Sequence, residues 1–287
     1  MFKALSPGAI GVSAGNLQES FAAAKIGGFE GVEFSPREIA GIIEKSGVEA
    51  AQSLFAEANI KPAGWGLPTD WRGSEESWRK GLEELPNLAK AAAAIGCPRT
   101  MTWILPCSND LPFADNYRFH VERFQPIAAI LADNGCSLGL EFIGPKTLRD
   151  SKKYPFIHTK AGMLEMADEM GPNVGLLLDC WHWYTSHGTE AELRALRPEQ
   201  VVYVHVNDAP QGIAIDEQLD SVRCLPGETG VIDIKAFLQG LQSIGYNGPV
   251  TPEPFKKELS DLPSDDERLK VVGASMDKIF KSAGRNS

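Results

Sequence analysis

Several short apolar runs in this chain end in side chains that can bind a cation or move a proton. "SLGLEFIG" ends around Glu141, and "VGLLLDCWH" ends at Asp179 with His182 three residues on. "VVYVHVNDAP" reaches His205 and then Asp208, "GPVTPEPF" reaches Glu253, and "GVEFS" carries Glu33. A strand end is polar in any protein, so one such residue means little. Glu141, Asp179 and Glu253 each interrupt or follow an apolar run, which predicts that each is at least half buried. Two buried carboxylates about 5 Å apart repel by on the order of 3 kcal/mol, even at an effective dielectric near 20. Proton uptake is one remedy. A divalent cation is a better one, with His205 as a fourth ligand. Three oxygens and one nitrogen form a hard donor set, favouring manganese, with magnesium, cobalt, iron or zinc as alternatives.

These residues can act together only if their strands lie side by side with their ends on one face. The chain's punctuation predicts this. "AKIGGFEGVEF", "AAAAIGCPRTMTWIL", "LADNGCSLGLEFIG", "MADEMGPNVGLLLDCWH" and "LQSIGYNGPVTPEPF" each read as helix, glycine cap, turn and buried strand, the glycine closing the helix in a left-handed conformation. The expected strands are 4–13, 31–35, 61–67, 99–105, 137–143, 174–180, 201–207 and 248–253. The helix after Ser74 carries Pro86 as an expected kink. Strands alternating with helices over 287 residues suit a doubly wound sheet or a closed (β/α)8 barrel. "IGGFEG" precedes its strand, the wrong side for a dinucleotide fingerprint, and no phosphate-loop motif occurs. The barrel is therefore expected, as one domain over 1–287, with an active site at the C-terminal strand ends.

Composition narrows the function classes. A formal charge of -10 argues against nucleic acid as a partner. Five cysteines without a C-x-x-C pair argue against a zinc ribbon or disulfide framework. No apolar run spans a bilayer, and the N-terminus makes a poor signal peptide. A cytoplasmic location without membrane partners is the expectation.

The strings "LEFIG", "LLLDCWHWYTSHG", "YVHVNDAP" and "TPEPF", in that order, resemble the xylose isomerase-like TIM barrels. The closest branch is the sugar phosphate isomerase/epimerase family, which includes ketose 3-epimerases, hydroxypyruvate isomerase and inosose isomerases and dehydratases. The resemblance implies that Glu141, Asp179, His205 and Glu253 hold one divalent metal, with Glu141 and Glu253 as the acid/base pair. It implies a ketose or cyclitol substrate, isomerised or epimerised through a metal-stabilised cis-enediolate. A lyase of the inosose dehydratase type, using the same enolate, is the alternative; a non-catalytic sugar-binding barrel is a further one. "VRCLPGETGVID" resembles the family's Arg…Pro-Gly segment and makes Arg223 a substrate-binding candidate, but the family's arginine shortly after the strand-seven histidine is absent. Lys146 and Arg149, soon after Glu141, could hold a phosphate or carboxylate or pair with the acidic surface. His182 and Glu33 are expected to bind substrate hydroxyls, and Trp65 and Trp103 to stack on a sugar's C–H face. Asp208 reads as a further oxygen near the metal or as a turn residue. A homodimer is expected from the resemblance alone.

Overall fold

The computed structural model describes residues 1–284. Among them, eight parallel strands close into a barrel in chain order. They are β1 (Phe2–Leu5), β2 (Gly31–Glu33), β3 (Lys61–Gly66), β4 (Arg99–Ile104), β5 (Ser137–Phe142), β6 (Val174–Asp179), β7 (Val201–Val206) and β8 (Pro249–Pro252). Every residue of β6 and β7 is buried, as expected of strands covered on both faces. Phe2, Ala4, Ala63, Met101, Leu177 and Tyr203 form one small cluster inside the barrel. A much larger cluster fills the space between the barrel and its helices.

Seven strands fall within their expected spans. The first does not: β1 ends at Leu5, and Pro7–Ile10 forms a 3₁₀ turn. Pro7 suits the start of such a turn, and Gly11 closes it at φ 69°. Glycine capping is also nearly as expected. Gly28, Gly96, Gly135 and Gly245 adopt positive φ, whereas Gly171, at φ 161°, is extended. Asn59 closes the helix Val48–Ala58 in the left-handed conformation at φ 54°; asparagine tolerates that region better than most residues.

The long helix Glu75–Ala94 starts where the Ser74 side chain accepts the Ser77 N–H, and it runs on through Pro86. The last helix spans Asp265–Ser282. The tail "KSAGRNS" reads from its sequence as frayed; of it, residues 285–287 lie outside the described residues. All five cysteines are free and buried. Among the described residues, no helix is long and apolar enough to cross a membrane.

Candidate metal centre

Parallel register lines up the strand ends. His205 of β7 pairs with Asp179 of β6 on one side and Thr251 of β8 on the other. Glu253 lies one residue beyond β8, held by its N–H to the Val206 carbonyl at 3.1 Å. Glu141 of β5 pairs with Trp103 of β4. One ligand atom each from Glu141, Asp179, His205 and Glu253 falls within 4.8 Å of the others. His205 Nδ1 is 3.5 Å from both Glu141 Oε1 and Glu253 Oε2. The four expected ligands therefore converge.

The donor set fits a divalent cation. Glu141 Oε1 and His205 Nδ1 are buried without a hydrogen-bond partner, which costs free energy unless something else engages them. Both point into the cluster, and three carboxylates with one imidazole suit a hard or borderline ion. Without the ion, burial pushes the Glu141 carboxyl up to about 8, with Glu253 and Asp179 reinforcing it. Burial also raises Asp179 in spite of Arg223. For Glu253, burial is outweighed by His205 and Arg223, and the carboxyl lies below its ordinary value. A central cation would favour ionisation of all three.

The surrounding side chains fix these ligands in place. The buried Arg223 donates from Nη1 to Asp179 Oδ2 at 2.9 Å and to Glu253 Oε2 at 3.1 Å, and from Nη2 to Asp220 Oδ1 at 2.9 Å. Its positive charge offsets part of the cluster's negative charge. His182, fully buried, accepts the Gly144 N–H on Nδ1 at 3.2 Å. Burial and then Arg223 hold its pKa well below the ordinary value, so it is neutral. Arg223 Nη2, which can only donate, also faces His182 Nε2 at 3.4 Å. His182 Nε2 is 3.9 Å from Glu141 Oε1 and 4.0 Å from Asp179 Oδ2. Glu33 Oε1 accepts the Tyr203 hydroxyl at 3.0 Å. Tyr203 has only one hydroxyl proton, so Thr251 donates to the Tyr203 oxygen at 2.7 Å. A groove of ≈ 560 Å³ reaches Glu33, and another of ≈ 1100 Å³ reaches Arg223 and Phe255.

Two expectations are corrected. Trp65 is fully buried, belongs to the cluster between barrel and helices, and donates its indole N–H to the Cys97 carbonyl. It packs the fold and presents no face to a sugar. Asp208 is also fully buried, and its carboxylate accepts the backbone N–H groups of Ala209, Thr229, Gly230 and Ile232. Its oxygens organise the loop after β7 and do not join the metal cluster. Trp103, by contrast, is 44% exposed. Lys146 and Arg149 pair with Asp216 and Asp150.

Three residues that position the site were missed. Asn207 donates to both oxygens of Asp179, at 3.1 and 3.3 Å. Its place immediately after the His205 strand was the available signal. Tyr203 lies two residues before His205, and strand alternation puts both on one face. Arg72, over the Trp103 ring, had no sequence signal, because it lies in a loop of irregular pattern.

Fold and site together define a (β/α)8 barrel with a candidate metal centre at its C-terminal mouth. The chain belongs to the xylose isomerase-like TIM barrel family, whose model matches residues 21–279. It is similar to an inosose isomerase from Halalkalibacterium halodurans, 24% identical over 230 residues, covering 78% of this chain and 77% of that protein. Among solved structures, a xylose isomerase domain protein from Alicyclobacillus acidocaldarius superposes with a TM-score of 0.86 at 30% identity, covering 99% of this chain and 100% of the other. The IOLI protein, solved with a bound zinc atom, superposes with a TM-score of 0.77 at 19% identity, with coverage of 99% and 100%.

Proposed function

We propose that the chain is a divalent-metal-dependent isomerase or epimerase of a ketose or ketocyclitol. The convergence of Glu141, Asp179, His205 and Glu253 within 4.8 Å is the observation that carries this reading. The similarity to an inosose isomerase supports it, and the zinc atom in a fold relative is consistent with a metal here. Glu141, Asp179, His205 and Glu253 would hold the ion; manganese suits the oxygen-rich set best. When bound, a divalent ion supplies Lewis-acid stabilisation of the negative charge that develops as a carbon next to a carbonyl loses its proton.

The protein supplies the proton transfers. Glu141 and Glu253 come from strands separated by two others and close on the mouth from different sides. One takes the proton alpha to the carbonyl and the other returns a proton to the opposite face or to the adjacent carbon. His182, beside Glu141 and Asp179, binds a substrate hydroxyl. Glu33 is oriented by Tyr203 to accept a hydroxyl. Arg223 favours the ionised forms of Asp179 and Glu253 and holds both in place.

The test is solvent exchange. The metal-loaded protein is incubated with ketoses, inososes and their phosphates in deuterated water. Carbon-bound deuterium in recovered substrate or isomer supports the proposal, and net loss of water would instead indicate a lyase. Glu253→Gln should reduce exchange at least a thousandfold with an unchanged circular dichroism spectrum, and chelation should abolish it. Exchange that survives both treatments would exclude this mechanism.

A further inference from the structure

Arg72 lies in the loop after β3, at the same end of the barrel as the metal cluster. Its guanidinium carbon is 4.0 Å from the centre of the Trp71 ring and 3.9 Å from that of Trp103. Nη2 also donates to the Trp103 carbonyl. Trp103 shares strand parity with Met101, which lies in the interior cluster, so it faces the barrel mouth. It is also the register partner of Glu141. The arginine is thus fastened to the rim beside a metal ligand.

Its surroundings leave it without a counter-ion. Among the described residues, no carboxylate lies within 4.0 Å of its guanidinium, whereas Arg223 has three such partners. Asp70 acts on it electrostatically, but the Asp70 oxygens accept the Gly73 N–H and the Ser77 hydroxyl. Partial burial lowers the Arg72 pKa to about 10, with Asp70 opposing, so the group stays charged at neutral pH. Stacking holds the planar fork in one orientation, and among the described residues its one hydrogen-bond acceptor is the Trp103 carbonyl, which engages Nη2. A fixed guanidinium with free N–H groups is suited to bidentate recognition of an oxyanion.

We propose that Arg72 is a specificity-determining residue that recognises a carboxylate or phosphate group on the substrate, outside the reacting carbons. This rests on the reading of the mouth above Glu141 as a sugar or cyclitol site. Trp103 then has a different role from a plain sugar platform: one face of its ring holds the arginine.

The test is chosen to separate the two claims. Tryptophan emission of the metal-free protein is titrated with glycolate and, separately, with inorganic phosphate at constant ionic strength. The wild-type protein should respond saturably to at least one of them, and the stronger ligand identifies the anion. Arg72→Gln should weaken that response at least tenfold. Arg72→Lys, which keeps the charge and loses the planar fork, should fall between the two and serves if the glutamine variant does not fold. Equal titrations in wild type and variants, or no saturable response, would overturn the assignment. With substrates, Arg72→Gln should raise KM at least tenfold more for anionic ketoses than for neutral ones; an equal effect on both would also count against it. A saturable, Arg72-dependent response in a protein that exchanges no substrate proton would leave the anion site standing and remove the isomerase reading.

Discussion

The Asn207 amide donates to both oxygens of Asp179, and the Trp181 N–H also donates to Oδ1 at 2.8 Å. A carboxylate held by several donors cannot rotate away from its neighbours, so its ligand geometry is fixed before an ion arrives. Groups behind a metal ligand commonly contribute 10–100-fold to metal affinity. Asn207→Ala should therefore weaken divalent-ion binding by about that factor, measured by equilibrium dialysis with elemental analysis. An unchanged dissociation constant would show that Arg223 and the Trp181 N–H hold Asp179 without Asn207. At this scale the sequence was informative about ligands and less so about their supports. Glu141, Asp179, His205 and Glu253 stand out because a charge in an apolar run is expensive. Asn207 and Tyr203 carry no such cost, and only their contacts reveal them.

Between strands and loops, Asp208 does for backbone what Asn207 does for a ligand. Its two oxygens accept four N–H groups from Ala209 and from residues 229–232. That gathers the segment after Arg223 against the end of β7, where Asp208 and Cys224 also form an isolated bridge. Asp208→Asn would place an amide against the N–H groups of Thr229 and Gly230 and orphan them. The expected cost is about 2–5 kcal/mol, read as a lower denaturation midpoint with faster proteolysis near residue 229. Loss of stability of less than about 0.5 kcal/mol would refute this role for Asp208. Gly144 shows another constraint at this level: a Cβ there would sit 2.4 Å from the His182 carbonyl oxygen and 2.5 Å from Thr185 Oγ1. The absent side chain lets the short helix Cys180–Thr185 approach the end of β5 and brings His182 into the site. The helix-glycine-strand rhythm was legible because each glycine has a local conformational reason. The role of Asp208 was not, since an aspartate after a strand suits a turn, a ligand or an anchor equally well.

Across the whole molecule, the barrel is sealed by its outer layer, and one group there links stability to pH. His120 lies buried among Trp71, Phe124 and Phe156 and donates from Nδ1 to the Asn116 carbonyl at 2.7 Å. Burial lowers its pKa to about 4, with Asn116 opposing and Arg72 assisting. The unfolded chain takes up this proton near pH 6.5, and the folded chain does so only near 4. Below pH 6.5 the unfolded state therefore binds more protons, and stability falls with pH. The contribution is full above pH 6.5, and about 3 kcal/mol is lost on approaching pH 4. His120→Phe should flatten that part of the stability–pH curve, as followed by urea midpoints between pH 7 and 4. A slope identical to wild type would assign the acid sensitivity elsewhere.

The sequence by itself determined the barrel, the positions of seven of its strands, and which carboxylates and histidine stand at its mouth. Those features are set by local physics: residue periodicity, glycine conformation and the cost of burying charge. Tertiary structure alone decided that Trp65 packs the outer layer, that Asp208 anchors a loop, that Arg223 bridges two site carboxylates and that Arg72 stacks on Trp103. Each of those depends on which residues distant in the chain become neighbours, and that is settled only when the strands close into a ring and bring the loops at their ends together.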